Sequence, residues 1–467
     1  MTESRLMGFA ELARSLGARR FSFAGRDGGF SSVCTDSRKA GPGSLFVALR
    51  GRSDDGHRFV EAAFGRGAAG ALVEEAALED RNLDLAGLAG KAGRELVVVE
   101  NTLCGLQNAA RAYLDTFPGL LRIGITGSSG KTTVKEIAAK ILSREKKVVM
   151  NEGNLNSETG LPLSVFAVRE CHEAGIFEMG MNRRGEIEEL ARVLRPHIAL
   201  VTGVGTAHIG ILGSKDAIAE EKKNIFSQFG GDERALIPAD DDYRDVLARD
   251  VRGKVIFYGR DSFAELGAVR DLGLEGAEIT WEGEAVRFAL PGPYNVRNVF
   301  GALAIAKEAP VSGRAVREGL ALVRPLFGRG EIFQGSVTVV RDCYNANPES
   351  VAQVLAFCDG LLWKGRRVYV IGSMLELGNA SEEAHGALGR LLAASGADMV
   401  FLFGVETETA AAVLEDGAGV SWFHTNDFGK LSRALEDYVR PGDLVLLKGS
   451  RGCALERLSL VLSGGAA

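Results

Sequence analysis

A glycine-rich loop between an apolar strand and an amphipathic helix constrains the fold of this chain more than any other feature. It lies in GITGSSGKTTVKEIAAKIL, residues 124–142. The overlapping run LRIGIT (121–126) predicts a buried strand, and Val134, Ile137 and Ile141 follow the loop at helical spacing. Such loops direct backbone N–H groups at phosphate oxygens, and the N-terminus of the following helix adds positive potential. The segment therefore predicts a site for a nucleoside triphosphate.

The loop departs from the common pattern GxxxxGK[ST] at one position, because Ile125 stands where that pattern has glycine. Gly127 and Gly130 form the turn instead. In this pattern the lysine, here Lys131, reaches the β and γ phosphates, and the hydroxyl of Thr132 binds Mg²⁺. A chance GKT in a glycine-rich chain is the alternative, but the strand before the loop and the helix after it favour the phosphate site.

Apolar strands and amphipathic helices alternate along the 467 residues, which predicts an α/β fold with largely parallel sheets. A chain of this length exceeds a single core, so several domains are expected. We predict three blocks, residues 1–101, 102–310 and 311–467. The other predicted central strands are AGIFEMG, PHIALVTGV, RRVYVIGS, ADMVFLFG and GDLVLLKGS. Within the second block, VIFYG, AEITW and AVRFAL of residues 255–291 are predicted to form antiparallel strands over the central sheet.

Composition excludes several classes of protein. The net charge of -6 argues against a general nucleic-acid binder. The N-terminus lacks a basic segment followed by an unbroken apolar run, and no window reaches the length of a membrane span, so secretion and membrane insertion are not expected. The six cysteines are scattered without a CxxC pair, which fits reduced thiols and a cytoplasmic protein.

Two polar residues stand where predicted strands end. Glu178 closes an apolar strand in IFEMG, and His208 follows HIALVTGV in the loop TAHIG. Ligand sites of open α/β sheets lie at such carboxyl ends, and oxygen ligands with one imidazole suit Mg²⁺ or Mn²⁺. A solvated glutamate and a structural histidine are the alternatives for the two positions.

A third unusual residue is Lys222, in the predicted helix that follows Ser214. At 100° per residue Ile218, Lys222, Ile225 and Phe226 share one apolar stripe, whereas the adjacent Lys223 faces the polar side. A lysine that extends from a shallow groove to water is one explanation. The other is functional, because a desolvated lysine loses its proton, and a neutral amine can be carbamylated by CO₂ to give an anion able to bind metal.

Together these segments resemble the Mur ligases, the ATP-dependent amide-forming enzymes of peptidoglycan precursor synthesis. The resemblance spans nearly the whole chain. It rests on TDSRKAGPGSLFVALRGRSDDGHRF, TGSSGKTT, NEGNLNSETGLPLS, EMGMNRRGEI, AHIG, EEKKNIF, GPYNVRNVFGALA, GRGEI, DCYNANPES, GSMLELGNASEEAH and KGSRG. YNANP and MLELG favour the branch that adds D-alanyl-D-alanine to a UDP-N-acetylmuramoyl-tripeptide through an acyl phosphate. The resemblance implies three domains: an N-terminal UDP-binding α/β domain, a central P-loop ATPase domain with a parallel sheet, and a C-terminal Rossmann-like domain.

The resemblance also implies roles for individual residues. ATP would be bound by Gly127, Ser128, Ser129, Gly130, Lys131, Thr132, Thr133, Asn295, Asn298, Arg329 and Asp342. Catalysis and two Mg²⁺ sites would involve Lys131, Thr132, Glu178, His208 and a carbamylated Lys222. The UDP substrate would contact Asp36, Ser37, Arg38, Asn156, Thr159 and Asn182, and the dipeptide would contact Asn345, Asn347, Lys448, Ser450 and Arg451. We expect a monomer with small-molecule substrates.

The sequence departs from the family pattern in three places. Tyr294 replaces the usual histidine of the GxHN segment, and Ser373 replaces the aspartate of GDMLELG. Lys223 and Asn224 stand where Gly and Glu are common after the modified lysine, so Lys222 and Lys223 compete for that role. The apolar stripe favours Lys222.

Two other functions remain open at this point. The first is a different amide ligase of the superfamily, which would add a diamino acid or add glutamate to folate; YNANP and KGSRG argue against it. The second is a P-loop switch that hydrolyses nucleotide to change protein partners.

Overall fold

The computed structural model describes residues 5–23, 28–51, 54–80, 82–417 and 419–462. These residues form three successive α/β units, each built on its own sheet of five or six strands. The α/β class and the three-unit architecture predicted from the alternating pattern are confirmed.

The N-terminal unit contains a mixed five-stranded sheet. Its elements are β1 (Met7–Gly8), α1 (Phe9–Leu16), β2 (Arg19–Ser22), β3 (Gly29–Phe30), β4 (Ser32–Cys34), β5 (Ser44–Val47), α2 (Val60–Gly65), β6 (Gly70–Glu74), α3 (Glu75–Leu78), α4 (Leu85–Ala92) and β7 (Glu95–Val99). The strand order is β2-β7-β6-β5-β4, with only β2 antiparallel to its neighbour. β1 and β3 pair separately.

The central unit is built on a six-stranded sheet in which every pairing is parallel. Its elements are α5 (Thr102–Leu114), β8 (Leu121–Thr126), α6 (Lys131–Leu142), β9 (Val148–Met150), α7 (Gly160–Val165), β10 (Ala174–Glu178), α8 (Glu186–Leu194), β11 (Ile198–Val201), α9 (Ile209–Leu212), α10 (Lys215–Lys223), β12 (Arg234–Pro238), α11 (Arg244–Ala248), β13 (Lys254–Tyr258), β14 (Leu266–Asp271), β15 (Ala277–Trp281), β16 (Glu284–Phe288), α12 (Pro293–Glu308) and α13 (Gly313–Ala321). The strand order is β13-β12-β11-β8-β10-β9.

This strand order determines where the site forms. β8 lies between β10 and β11, with Glu178 in register with Ile125 and Val201 in register with Thr126. Because parallel strands end at the same edge, the loops that follow β8, β10 and β11 meet there. All three strands are apolar and almost fully buried, as expected for a parallel sheet covered on both faces.

The prediction for residues 255–291 was partly wrong. AEITW and AVRFAL do form an antiparallel sheet, in the order β14-β15-β16. VIFYG instead forms β13, which pairs in parallel with β12 at the edge of the central sheet. A short apolar run does not reveal its partner, because strand direction depends on the connection through α11 that precedes it.

The C-terminal unit has a six-stranded sheet in the order β17-β18-β22-β19-β20-β21, parallel except for β17. Its elements are β17 (Glu331–Gln334), β18 (Thr338–Asp342), α14 (Pro348–Gly360), β19 (Arg367–Gly372), α15 (Ser381–Ala393), β20 (Met399–Phe403), α16 (Glu408–Glu415), β21 (Ser421–Thr425), α17 (Phe428–Tyr438), β22 (Leu444–Lys448) and α18 (Ser459–Leu462). The predicted strands in RRVYVIGS, ADMVFLFG and GDLVLLKGS correspond to β19, β20 and β22.

The hydrophobic cores do not change at the predicted limits. Helix α5, after residue 101, packs in one continuous core with α1 and with α7 and α8. Helix α13, after residue 310, buries Val316 and Leu320 against α6 in the core of the central unit, which extends to Val323. The limits at residues 101 and 310 remain predictions. The helix that follows each limit, α5 or α13, packs into a core of the central unit.

None of the helices in the described part of the chain combines the length and the apolar character needed to cross a membrane.

Candidate functional site

The phosphate loop connects β8 to α6 and takes its shape from two glycines. Gly127 and Gly130 have φ angles of 146° and 82°, in the region that residues with a Cβ rarely adopt. A Cβ on Gly127 would lie 1.8 Å from Oγ1 of Thr202, and one on Gly130 would lie 2.3 Å from Oδ1 of Asn298. The predicted turn is thus required both by backbone conformation and by close neighbours.

Lys131 is the first residue of α6, and its side chain folds back over the loop. Its Nζ donates a hydrogen bond to the carbonyl of Gly127, at 2.8 Å. Burial lowers the pKa of Lys131, while the carboxylate of Glu178 acts in the opposite direction. A bound phosphate would favour the charged ammonium in the same way.

Thr132 and Glu178 form a buried polar pair at the ends of β8 and β10. The Thr132 hydroxyl donates to Oε2 of Glu178 at 2.7 Å, and the Asn156 side-chain amide donates to Oε1 at 2.7 Å. Glu178 is buried, so the solvated-glutamate alternative is excluded. Two oxygen-bearing side chains, Thr132 and Glu178, therefore face one another beside the phosphate loop.

A second set of hydrogen bonds fixes the strand end that carries Glu178. The side-chain amide of Asn151 accepts from the Glu178 backbone N–H at 2.9 Å and donates to its carbonyl at 3.0 Å. The carbonyl of Asn151 accepts from Nζ of the buried Lys135 at 2.6 Å. Lys135 was missed in the sequence, although it lies one helical turn after Lys131 and so on the same side of α6.

The loop after β11 brings His208 to the cleft in a left-handed conformation, with φ of 66°. Nδ1 of His208 lies 3.1 Å from Oε2 of Glu376, within ion-pair distance, but without the geometry of a hydrogen bond. The imidazole holds the pKa of Glu376 below its ordinary value. Glu376 belongs to the C-terminal unit, so the contact joins two units.

Lys222 lies where the apolar stripe predicted. Ser214 caps α10 by accepting from the N–H of Ala217 at 3.1 Å, and Lys222 is 1% exposed together with buried Ile218 and Ile225. Burial is the main cause that lowers the pKa of Lys222 well below its ordinary value, and the nearby charge of Lys131 adds to it.

The residues on either side of Lys222 determine which of the two lysines on α10 faces inward. Lys223 has a partly exposed side chain and lies 4.0 Å from Glu220. Glu221 is buried and accepts from the backbone N–H groups of Gly185 and Ile187, at 2.8 and 3.0 Å. These two bonds attach α10 to the N-terminus of α8, and thereby orient Lys222 inward and Lys223 outward.

Two of the predicted ATP-binding residues, Asn295 and Asn298, lie at the start of α12. Nδ2 of Asn295 donates to the carbonyl of Pro291 at 2.8 Å, and Oδ1 accepts from Asn298 at 3.3 Å. The ring of Tyr294 packs edge-on against Phe357 of the C-terminal unit. Its hydroxyl is buried with no hydrogen-bond partner among the described residues, and burial raises the pKa of Tyr294.

The C-terminal unit contributes the opposite wall of the cleft. Nζ of the buried Lys448 donates to Oδ2 of Asp342 at 2.8 Å and to the carbonyl of Asn345 at 2.9 Å. The guanidinium of Arg329 stacks 4.0 Å from the ring centre of Tyr344. These contacts place one acidic and two basic side chains across from the phosphate loop.

Most of the predicted residues line a single cleft between the central and C-terminal units. They are Ser128, Ser129, Gly130, Lys131, Thr132, Thr133, Asn156, Glu178, Asn182, His208, Asn295, Asn298, Arg329, Asp342, Asn345, Asn347 and Lys448. Lys222 is not among the lining residues, although the charge of Lys131 contributes to its lowered pKa.

Other predicted residues lie outside the cleft. Asp36 and Arg38 form a 2.9 Å ion pair in the 3₁₀ turn Ser37–Lys39 of the N-terminal unit, and the hydrogen bonds from Arg38 lower the pKa of Asp36 to about 2. The hydroxyl of Thr159 lies 3.3 Å from that of Ser157.

Three residues near the predicted acceptor site have structural contacts. Ser450 is buried and accepts from the N–H of Leu375 at 2.9 Å, whereas Arg451 is exposed and pairs with Glu456. Ser373, one of the departures from the family pattern, is buried, and its N–H donates to the carbonyl of Phe403 at 3.0 Å.

Among the residues that the structure describes, no group of three or more His, Cys, Asp or Glu side chains forms a ready metal cluster. This arrangement is compatible with Mg²⁺, which commonly uses one or two protein carboxylates together with water and substrate phosphates. Sequence reasoning also missed Glu349 and Asp241, which face the cleft. Their roles depend on contacts between segments distant in the chain, for which the sequence carries no local signal.

Comparison with known proteins agrees with this geometry. Three family descriptions match in order: "Mur ligase family, catalytic domain" at residues 30–113, "Mur ligase middle domain" at 125–306, and "Mur ligase, glutamate ligase domain" at 328–451. A UDP-N-acetylmuramoyl-tripeptide--D-alanyl-D-alanine ligase from Treponema pallidum is 42% identical over 458 residues, which cover 98% of this chain and 99% of that protein.

Solved structures show the same likeness across all three units. A crystal structure of MurF from Acinetobacter baumannii has a TM-score of 0.85 at 27% identity, covering 99% of this chain and 100% of that one. MurF from Thermotoga maritima in complex with ADP has a TM-score of 0.77 at 27% identity, covering 95% and 99%. Because family matches fall in all three units and the similarity to a named relative extends over almost the full length, this chain belongs to the Mur ligase family.

Proposed function

We propose that this protein is an ATP-dependent ligase that joins D-alanyl-D-alanine to UDP-N-acetylmuramoyl-tripeptide, forming the pentapeptide precursor of peptidoglycan. The observation that carries the proposal is the 42% identity, over 98% of the chain, to a relative named for that reaction. The cleft supports it, because a phosphate loop, a buried carboxylate and basic groups from two units surround one space.

The first half-reaction activates a carboxylate, which is otherwise a poor electrophile. A carboxylate oxygen of the tripeptide attacks the γ phosphorus of ATP, the bond to the bridging oxygen breaks, and acyl phosphate and ADP result. Lys131 and the N–H groups at the start of α6 face the position of the phosphates and stabilise the charge that accumulates there. Catalysis of this step is chiefly positioning and charge neutralisation.

The residues present fit Mg²⁺, which would be held by Thr132, Glu178 and His208, all of which line the cleft. Glu178 Oε2 already accepts a hydrogen bond from the Thr132 hydroxyl, so both oxygens face one point. When bound, the ion neutralises phosphate charge and polarises the phosphorus for attack. The hydrogen bond from Asn156 to the other oxygen, Oε1, orients the carboxylate.

Lys222 is proposed to act as a carbamate. Its neutral amine attacks the carbon of CO₂, forms an N–C bond and releases one proton, so a neutral buried group becomes an anion. The burial that lowers the pKa of Lys222 favours the neutral amine, and the charge of Lys131 favours the anionic product. The carbamate would help to hold a second Mg²⁺.

The second half-reaction uses the opposite wall of the cleft. The amine of D-alanyl-D-alanine attacks the acyl carbon, its nitrogen gives up a proton, and the tetrahedral intermediate expels phosphate. Asn345, Asn347 and Lys448 lie on the C-terminal wall where the dipeptide would bind. Asp36, Ser37 and Arg38, in the N-terminal unit, are proposed to bind the uridine nucleotide.

Closure of the C-terminal unit over the nucleotide is proposed to exclude water from the acyl phosphate. Small-angle scattering that detects no compaction when nucleotide and tripeptide are added would contradict closure. We also propose a cytoplasmic monomer; all six cysteines are free thiols, as a reducing compartment requires. Analytical ultracentrifugation tests the oligomeric state.

The decisive experiment measures ADP release with UDP-N-acetylmuramoyl-tripeptide, ATP and Mg²⁺, with and without D-alanyl-D-alanine. Turnover that requires the dipeptide, together with a product increased in mass by that dipeptide less one water, supports the proposal. Turnover with a diamino acid or glutamate instead would assign the chain to another ligase of the superfamily. Strong turnover without any acceptor, stimulated by a protein partner, would support a nucleotide switch.

A further inference from the structure

The segment that carries His208 is held by the C-terminal unit on two sides. This segment, residues 206–210, follows β11 in the central unit and includes the start of α9. Glu349 contacts its first residue and Glu376 its histidine, and Gly378 lies against Gly210 at its end. The position of a proposed metal ligand therefore depends on a unit other than its own.

Glu349, in the first turn of α14, makes the most specific of these contacts. Its Oε1 accepts from the backbone N–H of Thr206 at 2.9 Å, and its Oε2 accepts from the Thr206 hydroxyl at 2.7 Å. Nζ of Lys215 lies 3.4 Å from Oε1. One carboxylate thus binds both the segment of His208 and the first residue of α10, the helix that carries Lys222.

The surroundings of this contact are arranged for close approach. A Cβ on Gly205 would lie 3.1 Å from the carboxyl carbon of Glu349, tighter than ordinary contact, so a glycine leaves room for the carboxylate. The N–H of Gly205 in turn donates to Oγ of Ser128 in the phosphate loop at 2.8 Å. The segment is therefore attached to the phosphate loop on one side and to Glu349 on the other.

The same helix terminus reaches the phosphate loop directly. Asn347 caps α14, and its Nδ2 donates to Oγ of Ser129 at 3.0 Å. Asn347 and Glu349, two residues apart, therefore dock the start of α14 on the phosphate loop and on residues 206–210 at once. Docking of α14 therefore fixes the position of the phosphate loop relative to residues 206–210.

The second contact area reinforces this arrangement. The backbones of Gly210 and Gly378 approach so closely that a Cβ on Gly210 would lie 2.4 Å from the nitrogen of Gly378. Ile209 packs against the core of the C-terminal unit. Residues 206–210 are thus packed between two parts of the C-terminal unit.

We propose that Glu349 is a positioning residue for the ligation reaction, which couples docking of the C-terminal unit to the placement of His208. This inference rests on the function proposed above. The carboxylate of Glu349 is hydrogen-bonded to Thr206 and paired with Lys215 on α10, and it acts on the reaction through these two residues. Loss of the carboxylate leaves the nucleotide-binding residues in place but loosens the alignment of His208 when the units close.

The test compares Glu349→Ala, Glu349→Gln, Thr206→Val and the double variant Thr206→Val/Glu349→Ala in dipeptide-dependent ADP release. For Glu349→Ala we expect kcat to fall about tenfold with KM for ATP changed less than about threefold, because a carboxylate and its hydrogen bonds are lost. Glu349→Gln, which can still accept from the Thr206 N–H and pair with its hydroxyl, should retain kcat within about threefold of wild type.

The double variant separates positioning from general destabilisation. If Glu349 acts through Thr206, the double variant has the same kcat as Glu349→Ala, since the contact is already lost. Additive losses, or a Glu349→Ala enzyme as active as wild type, would overturn the proposal. Glu383→Ala is the matched control: it removes an exposed glutamate from the first turn of α15 in the same unit, and should leave kcat unchanged.

Scattering distinguishes failure of this inference from failure of the proposed function. With ADP and Mg²⁺, Glu349→Ala should show a larger radius of gyration than wild type, and Glu383→Ala should not. If wild type shows no dipeptide-dependent turnover, the proposed function fails. In that case the docking role of Glu349 is judged by scattering alone, and equal radii of gyration for wild type and Glu349→Ala would reject it as well. If wild type is active and the radii and kcat values are equal, only the role of Glu349 is lost.

Discussion

Two lysines in the central unit are shielded from water to different degrees, Lys131 on α6 in part and Lys222 on α10 almost completely. Lys131 lines the cleft and donates to the carbonyl of Gly127, four residues before it. Lys222 lies in an apolar stripe, 1% exposed, and its helix is held by bonds from Glu221 to α8. The first is positioned by its own loop, and the second by packing between helices.

The two environments favour different charge states of a lysine amine. A phosphate-loop lysine must be charged when nucleotide binds, so a lowered pKa in the free protein is reversed by the phosphate anions. The buried Lys222 meets no such partner in its stripe, and the burial that lowers its pKa favours the neutral amine. The site of Lys131 favours the charged ammonium when phosphate binds. The site of Lys222 favours the neutral amine, which can react with CO₂.

The largest effect is expected at the phosphate loop. Lys131→Ala should lower kcat for ADP release by about 100-fold or more, because a charge aimed at the transferred phosphate is removed. Lys140→Ala, on the exposed side of the same helix, should remain close to wild type. Steady-state kinetics with tripeptide and dipeptide measures both, and an active Lys131→Ala enzyme would contradict the role of the loop.

A smaller and reversible loss is expected on α10. Lys222→Ala should lower kcat about 10- to 100-fold, in the range found when a group that supports a metal is lost. A short-chain carboxylic acid should restore part of the activity of Lys222→Ala but none in Lys131→Ala. Lys223→Ala is the control for register; if it loses activity and Lys222→Ala does not, the assignment to Lys222 is wrong.

The burial of Lys222 also predicts how the free energy of unfolding depends on pH. In the folded protein the pKa of Lys222 is lowered, whereas in the unfolded chain this side chain releases its proton near pH 10.5. Between those values the unfolded chain binds more protons, so the free energy of unfolding rises with pH, by up to ~1.4 kcal/mol per pH unit.

Substitution of Lys222 by methionine tests this directly. In bicarbonate-free buffer Lys222→Met should be more stable than wild type near neutral pH, and the difference should shrink as pH approaches 10.5. Urea unfolding at several pH values gives the comparison. A constant difference between the two proteins would show that Lys222 is not a desolvated amine.

The smallest effect concerns the start of α10. Ser214→Ala removes the side-chain oxygen that accepts from the Ala217 N–H and should cost about 1 kcal/mol of stability. The thermal midpoint should fall slightly while KM for ATP is unchanged, since the cap lies outside the cleft lining. A large loss of kcat would indicate that the helix terminus, and not its buried stripe, positions Lys222.

Sequence reasoning succeeded where a residue's role follows from its immediate neighbours. The strand–loop–helix unit around Gly127 and Gly130, the inward direction of Lys222 and the family are confirmed. It failed for VIFYG, whose parallel pairing with β12 depends on the connection through α11 and not on the strand's own residues. It missed Lys135 and Glu349, whose partners lie 16 and 143 residues away.

What the sequence determined by itself is local: glycine where φ must be positive, a lysine at the first turn of a helix, and an apolar stripe with one amine in it. These features depend on backbone sterics and helical periodicity, which act over a few residues. The cleft was decided only by the tertiary structure, because β8, β10 and β11 had to become neighbours and the C-terminal unit had to dock on residues 206–210. Such contacts join segments far apart in the chain, and their geometry is set by the packing of the whole protein.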